Sequence, residues 1–234
     1  MSFCETVTDA APFYQELLAS TETGKQYLLS APIIEDVFSG NFDIHTYIAF
    51  LNQAYHHVRH TAPLLAAAES NLTTEQKWVS KTMLEYIEEE RGHETWILDD
   101  IEACGFSRSA YAEGDAPMTS EVMVAYLYDY VSRVNAMGIF GMVLVLEGTS
   151  SSLAPAVGTL VQKQLDLPDS AMTYLTTHGE LDQDHISYFE QAMNQVTDQK
   201  DQAAIIHVAN MVYQLYGDVY RAIPNEAASI QRAA

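Results

Sequence analysis

Apolar residues recur at helical spacing along almost the whole sequence, and no segment alternates between apolar and polar residues as a half-buried strand does. Hydrophobic residues make up 48% of the chain, while Gly and Pro account for only 11 and 7 of the 234 residues, so we expect the chain to fold. A chain of this length can bury one sizeable core. The sequence therefore predicts an all-α protein, a compact bundle of seven or eight helices formed by residues 1–234 as a single domain.

Capping residues and helix breakers set the predicted helix boundaries. Asp43 is the predicted N-cap of a helix bent at Pro63, and Thr73 with Gln76 forms a capping-box pattern. Gly105 provides a C-terminal stop, and residues 105–118 are the predicted main loop. The predicted helical stretches are 5–30 (one helix or two), 32–40, the helix that begins at 44 after its N-cap, 73–104, 119–148, 151–165, 169–196 and 200–223.

The charge balance excludes one class of partner. Eleven Lys and Arg face 32 Asp and Glu, a formal net charge of −21, and the positive residues form no basic stripe. Such a surface repels phosphate backbones and anionic lipids, so we expect no nucleic-acid partner and no membrane partner. The N-terminal sequence lacks the features of a secretory signal, and Cys4 and Cys104 are too few for a disulfide framework. These features predict a cytoplasmic protein.

The segment His178-Gly-Glu-Leu-Asp182-Gln-Asp-His185 is the most informative motif. On a helix, positions i, i+4 and i+7 lie on one face, so these three side chains are predicted to project together over two turns. Two imidazoles and a carboxylate suit non-haem iron, with manganese or zinc as competitors. A single histidine is more often structural than a ligand, whereas three chelating side chains on one stripe favour a metal site.

A second candidate segment contains Glu90 and His93 at the i, i+3 spacing that helical carboxylate-bridged di-metal sites use. Glu89, at i−4 from His93, is the rival position. A run of glutamates such as 88–90 is usually an exposed face, so this motif is weak alone. It gains weight because its helix packs in the same bundle as the first motif.

Glu147 follows the apolar run Met142–Leu146 directly. A carboxylate in such a position is costly to bury unless it is paired or bound to a metal. The alternative interpretation places Glu147 at the exposed C-terminal end of its helix, next to Gly148.

These residues resemble the haem-oxygenase-like di-metal oxidases and oxygenases, relatives of thiaminase-II and pyrroloquinoline-quinone synthase. That family has a Glu and a His on one helix, a lone Glu on a later helix, and a His-x-x-x-Asp-x-x-His signature about thirty residues further on. Here Glu147 precedes His178 by 31 residues and follows His93 by 54. The resemblance implies a haem-oxygenase-like fold and five metal ligands: His93, Glu147, His178, Asp182 and His185.

The resemblance leaves the sixth ligand open. Many family members place the first Glu seven or ten residues before the His, where this chain has Tyr86 and Met83. Others use the position of Glu90, which is our prediction; with Tyr86 in the ligand position, the centre would be mononuclear. His56 and His60, which share a helix face, are further candidates for a ligand or a substrate contact, or are structural histidines.

The resemblance implies an oxidase or oxygenase that activates O₂ with one or two non-haem iron ions, or manganese, and acts on a small organic substrate. Glu147 would be the bridging carboxylate, and Glu147 and Tyr174 are the candidate catalytic residues. Tyr174 lies one turn before His178, and core packing is the alternative role for it. Gly138 and Gly141 either leave room for substrate or allow close helix packing. A homodimer is the default expectation.

Two relatives provide an alternative function without metal. The pyrroloquinoline-quinone synthases have the same fold and let bound substrate react with oxygen. The thiaminase-II hydrolases use a nucleophilic Cys, and neither Cys4 nor Cys104 resembles that context. A non-catalytic helical interaction protein is a third possibility, but it leaves the aligned His and carboxylate residues unexplained.

Overall fold

The computed structural model describes residues 12–233, apart from the side chains of residues 178–187. Within that part the chain forms eleven α-helices and no strand. The helices are α1 (Phe13–Leu29), α2 (Pro32–Phe38), α3 (Ile44–Val58), α4 (Thr61–Ser70), α5 (Ser80–Glu89), α6 (His93–Ala103), α7 (Arg108–Ala112), α8 (Met118–Arg133), α9 (Ile139–Leu165), α10 (Thr173–Met193) and α11 (Gln199–Ala233). Short 3₁₀ turns occupy Thr74–Val79, Ala136–Gly138 and Asp169–Ala171.

Helix α9 forms the centre of the bundle, because it packs against both α10 and α11. Helix α11 also packs against α1, α3 and α8, and α6 packs against α3 and α10. In the described part of the chain, Ala136–Leu165 is the segment long and apolar enough to cross a membrane by length and composition. Since 61% of its most apolar window is buried inside the protein, and core helices share this composition, it is a weak indication of a membrane span.

The predicted capping residues are confirmed. The Asp43 carboxylate accepts a hydrogen bond from the backbone N–H of Thr46 at 2.9 Å, and the backbone N–H of Asp43 donates to the Thr46 hydroxyl. Gln76 accepts a hydrogen bond from the backbone N–H of Thr73 at 3.0 Å, which completes the second capping box. Gly105 follows α6 with φ of +86°, as its predicted role as a stop requires.

The predicted continuous helix over residues 73–104 is wrong. Its first part is the 3₁₀ turn Thr74–Val79, and the remainder divides into α5 and α6 at Glu90–Gly92. Gly92 has φ of +87°, a left-handed conformation that a residue with a Cβ rarely adopts. The sequence has no apolar residue between Ile87 and Trp96, so apolar periodicity gives no information on whether one helix continues through this stretch.

The predicted break between residues 148 and 151 is also wrong, because Gly148 lies inside the continuous helix α9. The chain breaks earlier, after α8, where the Asn135 side chain accepts a hydrogen bond from the backbone N–H of Met137 at 2.9 Å. The predicted loop 105–118 contains the short helix α7.

Three smaller boundaries differ from the prediction. The bend expected at Pro63 occurs before that residue, at Arg59 and His60. Pro63 lies in the first turn of α4, where a backbone N–H has no partner within the helix, so the proline costs no helical hydrogen bond. Helix α10 begins at Thr173 rather than at Asp169. Helix α11 continues past Ile223 and contains Pro224.

Gly138 and Gly141 allow α9 to approach its neighbours closely. A Cβ at Gly141 would lie 2.5 Å from the backbone nitrogen of Ala209 and 2.6 Å from the carbonyl oxygen of Ile205. A Cβ at Gly138 would lie 2.7 Å from the ring of Tyr130. Both glycines therefore serve helix packing, and the space they create is already filled by protein.

Candidate metal centre

His178, Asp182 and His185 belong to α10, and their side chains lie outside the described residues. The backbone is helical throughout Thr173–Met193, so these positions are separated by one and two helical turns, as the motif requires. Helix α10 packs against α9, which carries Glu147, and against α6, which begins at His93. The helices that carry the predicted ligands are therefore neighbours in the bundle.

Glu90 and His93 meet at the break between α5 and α6. The carboxylate Oε2 of Glu90 lies 3.3 Å from the imidazole Nδ1 of His93, and both side chains are 5% exposed. The indole ring of Trp96 stacks on the His93 imidazole at a centroid distance of 4.1 Å. The sequence places this pair on one helical stripe, whereas the structure brings the two side chains together across a left-handed turn.

A cavity of about 40 Å³ lies beside this pair. Among the residues that line it are the carboxylates Glu90 and Glu147 and the phenols Tyr86 and Tyr174. Glu147 is half-buried in the middle of α9, so it does not occupy the exposed helix end of the alternative interpretation. Two carboxylates that line one small space are suitable oxygen ligands for a cation.

The structure separates the rival positions for the first carboxylate. Glu88 and Glu89 are exposed, whereas Glu90 is buried and lines the cavity. Tyr86 is also buried and lines the cavity, while Met83 is fully buried in the main hydrophobic core. Glu90 and Tyr86 are thus the members of this set that reach the candidate site.

His57 also lines the cavity, which the sequence analysis missed. Its Nδ1–H donates to the carbonyl oxygen of Gln53 at 2.8 Å, which fixes the ring orientation. The sequence does contain a signal for His57. It follows Phe50 by seven residues and precedes Thr61 by four, which are the spacings of residues on one helix face. Both Phe50 and Thr61 line cavities in the structure.

The predicted pair, His56 and His60, is not among the described residues that line this cavity. The ring of His56 packs against Tyr55 at a centroid distance of 5.1 Å. His60 Nδ1 lies 3.3 Å from the hydroxyl of Tyr128. Burial lowers the pKa of both histidines, and the nearby Arg59 lowers both further. The Nε2 of His56 is buried and has no hydrogen-bond partner among the described residues.

The described side chains provide only part of a metal-binding set. Within them, no three His, Cys, Asp or Glu residues are grouped closely enough to hold an ion. Glu90 and His93 form one pair, and Glu147 faces the cavity that Glu90 also lines. Carboxylate and imidazole donors suit iron and manganese, so these residues fit one side of a metal centre.

Asp100 positions the start of α10. Its carboxylate is fully buried and accepts hydrogen bonds from the backbone N–H groups of Thr173, at 3.0 Å, and Tyr174, at 2.9 Å. Burial raises the pKa of Asp100 to about 6, although these two hydrogen bonds favour its ionised form. An N-terminal cap supplied by a different helix has no sequence pattern, so the sequence analysis missed this residue.

The one described cysteine, Cys104, is half-buried. Burial and the charge of Asp100 raise the pKa of its thiol to about 11. The nucleophilic form of cysteine is the thiolate, which is disfavoured here at neutral pH. Cys104 therefore lacks the environment of a thiaminase-type nucleophile.

Solved structures share this fold. A domain of unknown function with a haem-oxygenase-like fold from Shewanella denitrificans superposes with a TM-score of 0.85 at 22% identity, covering 94% of this chain and 96% of that one. A TenA homologue from Pseudomonas syringae gives 0.75 at 10% identity, covering 91% and 93%. Haem oxygenase-1 from the cyanobacterium Synechocystis, solved with haem, gives 0.73 at 11%, covering 95% and 97%.

At these identities the structural likeness shows the fold alone, and it confirms the predicted haem-oxygenase-like, all-α architecture. No curated protein matches the chain. The model of a family described as iron-containing redox enzymes matches residues 48–217, which is well over half of the chain. The chain therefore belongs to this family of iron-containing redox enzymes.

Proposed function

We propose that this protein is a non-haem di-iron oxidase or oxygenase that activates O₂ and acts on a small organic substrate. The observation that carries the proposal is the buried Glu90–His93 pair beside a cavity that Glu147 also lines. Carboxylate and imidazole groups are the donors that iron and manganese bind, and here they lie around one small space. Membership of an iron-containing redox family supports iron as the cation; manganese is the alternative.

Each candidate residue has a distinct role in this proposal. Glu90 and His93 would hold one ion, and Glu147, on helix α9, would be a ligand in the same centre. His178, Asp182 and His185 of α10 complete the set. When bound, ferrous iron supplies the electrons that reduce O₂.

The surrounding residues control the environment of the reaction. The phenol of Tyr174 and the imidazole of His57 line the same cavity as the two carboxylates. The Tyr174 hydroxyl can donate a hydrogen bond to a substrate held there, whereas the Nε2 of His57 can accept one, because the Nδ1–H of His57 is donated to Gln53. The cavity is small, and the buried side chains around it limit the entry of water. The cytoplasmic location and the homodimer remain predictions from the sequence.

Anaerobic titration with ferrous iron, followed by metal analysis, tests the proposal. We expect the protein to bind between one and two ions, and His178→Ala and His185→Ala each to reduce that number sharply. Addition of O₂ to the loaded protein should then consume oxygen. An iron content near zero in the unchanged protein, with helical circular dichroism intact, would contradict the proposal. It would favour a metal-free oxidase of the pyrroloquinoline-quinone synthase type.

A further inference from the structure

The indole of Trp96 lies flat against the imidazole of His93, which precedes it by three residues on α6. The two ring centroids are 4.1 Å apart, and the ring planes are inclined by only 23°. His93 is buried, whereas Trp96 is partly exposed to solvent. Trp96 therefore lies between a predicted ligand of the metal centre and the outside of the protein.

The stacked rings provide a short path for an electron. Electron transfer slows steeply as the distance between two π-systems increases, and at 4.1 Å between centroids these rings are in contact. Indole can give up an electron without losing its proton, whereas a phenol loses its proton as it is oxidised. Trp96 thus has both the position and the chemistry for electron exchange with the centre.

The other aromatic side chains near the centre are less suited to this role. Tyr86, Tyr174 and Tyr216 line the cavity beside Glu90 and are buried, so a reductant in solution cannot reach them directly. The ring of Tyr216 contacts that of Tyr220 at a centroid distance of 5.0 Å. Burial raises the pKa of Tyr220, which disfavours the loss of the proton that oxidation of its phenol requires.

We propose that Trp96 is an electron-transfer residue that protects the candidate metal centre when O₂ reacts there without substrate. Trp96 gives one electron to the oxidised centre through the ring of His93. A small one-electron reductant of the ascorbate class then returns one electron to the exposed part of the indole. No atom is transferred, so the centre is reduced by one electron, the reductant is oxidised by one, and the indole is unchanged.

This role rests on the proposed function. An oxidant that can attack a C–H bond of an organic substrate can also take an electron from indole. When no reductant is present, the oxidised indole passes a second electron to the centre and adds water with release of two protons. The product is hydroxytryptophan, which remains in the chain as a record of the path.

The two tryptophans of the chain provide an internal comparison. Trp78, in the 3₁₀ turn Thr74–Val79, is 43% exposed and is therefore more accessible than Trp96. An oxidant that diffuses through the solution would modify Trp78 first. An oxidising equivalent that leaves the centre through His93 would instead reach Trp96.

Peptide mass spectrometry of the unchanged protein tests the proposal. The protein is loaded with ferrous iron without O₂, its iron content is measured, and it is then exposed to O₂ without substrate. We expect about tenfold more hydroxytryptophan at Trp96 than at Trp78, and added ascorbate should suppress the product at Trp96. Metal-free protein treated in the same way should show no preference for Trp96.

Trp96→Phe tests the protective effect, because phenylalanine keeps an aromatic ring beside His93 but is far harder to oxidise. Its initial iron content should equal that of the unchanged protein. Over repeated cycles of reduction with dithionite and exposure to O₂, it should lose iron several-fold faster, since the oxidising equivalents then damage the ligands. Trp78→Phe is the matched control and should retain iron as the unchanged protein does.

The outcomes separate this proposal from the proposed function. Iron uptake and O₂ consumption without preferential oxidation of Trp96 would overturn the role of Trp96 and leave the proposed function intact. Equal rates of iron loss in Trp96→Phe and Trp78→Phe would also overturn it. An iron content near zero in the unchanged protein would overturn both. If Trp96→Phe does not fold, the comparison of Trp96 with Trp78 in the unchanged protein decides.

Discussion

Asp100 of α6 accepts a hydrogen bond from the backbone N–H of Tyr174, in the first turn of α10, at 2.9 Å. A second bond, from the N–H of Thr173, joins the same carboxylate. The first N–H groups of a helix have no partner within the helix, and the macrodipole places partial positive charge there. Asp100 therefore fixes α10, which carries three of the predicted ligands, against α6, which begins with His93.

Asp100→Ala should destabilise the protein by about 2–3 kcal/mol, because it leaves two N–H groups at a buried helix end without their acceptor. Urea unfolding followed by circular dichroism measures this change. The adjacent Asp99 is the matched control, since it is exposed and pairs with Arg108 on the surface. Asp99→Ala should change the unfolding free energy by only about 0.5 kcal/mol. Equal effects of the two substitutions would contradict the capping role.

Glu226→Gln should change how stability depends on pH. Burial raises the pKa of Glu226 in the folded protein to about 7, although Gln53 donates a hydrogen bond to its carboxylate. Since this pKa lies above the ordinary value of 4.5, the folded state holds the proton more tightly than the unfolded state. The contribution of Glu226 to stability is therefore fully present below pH 4.5 and is lost as the pH rises through about 7.

Glutamine resembles the protonated carboxyl group and does not ionise. Relative to the unchanged protein, Glu226→Gln should be similar in stability at pH 5 and more stable by about 2 kcal/mol at pH 8, after discounting for partial exposure. Unfolding midpoints at the two pH values measure the difference. Glu121→Gln, on the exposed surface of α8, should show no such gain at pH 8. A gain independent of pH would show that ionisation of Glu226 is not its cause.

Gly141→Ala and Gly148→Ala, both in α9, should have opposite effects on stability. The new Cβ at position 141 would collide with backbone atoms of Ala209 and Ile205, so α9 and α11 must move apart, at a cost of about 1–3 kcal/mol or more. A Cβ at position 148 would have no described atom within 4 Å outside its own helix backbone, and alanine is the better helix former by about 0.5–1 kcal/mol. Thermal unfolding measures both changes, and a stabilising Gly141→Ala would refute the close helix contact.

Glu90→Ala should remove about one bound iron ion, whereas Glu89→Ala should leave the iron content unchanged. The reason is position, since Glu90 is buried beside His93 and Glu89 is exposed. Metal analysis after anaerobic loading with ferrous iron makes the comparison. Full iron content in Glu90→Ala would contradict a ligand role for Glu90. Tyr86 and His57, which line the same cavity, would then be the next candidates.

The sequence by itself determined the features that depend on neighbouring residues along the chain. The helical class follows from apolar spacing, and the start of α3 follows from Asp43, whose carboxylate reaches a backbone N–H three residues away. The order and spacing of His93, Glu147 and the α10 motif likewise predicted the family. Local patterns suffice for the helical class and for the cap, because those interactions span only a few residues.

Only the tertiary structure decided which side chains meet. The presence of His57 rather than His56 at the cavity and the cap that Asp100 gives α10 both depend on how distant segments pack. The cavity of about 40 Å³ beside Glu90 has the same origin, because residues of several helices line it. No local pattern encodes these contacts, since the free energy that fixes them comes from burial between helices far apart in the sequence.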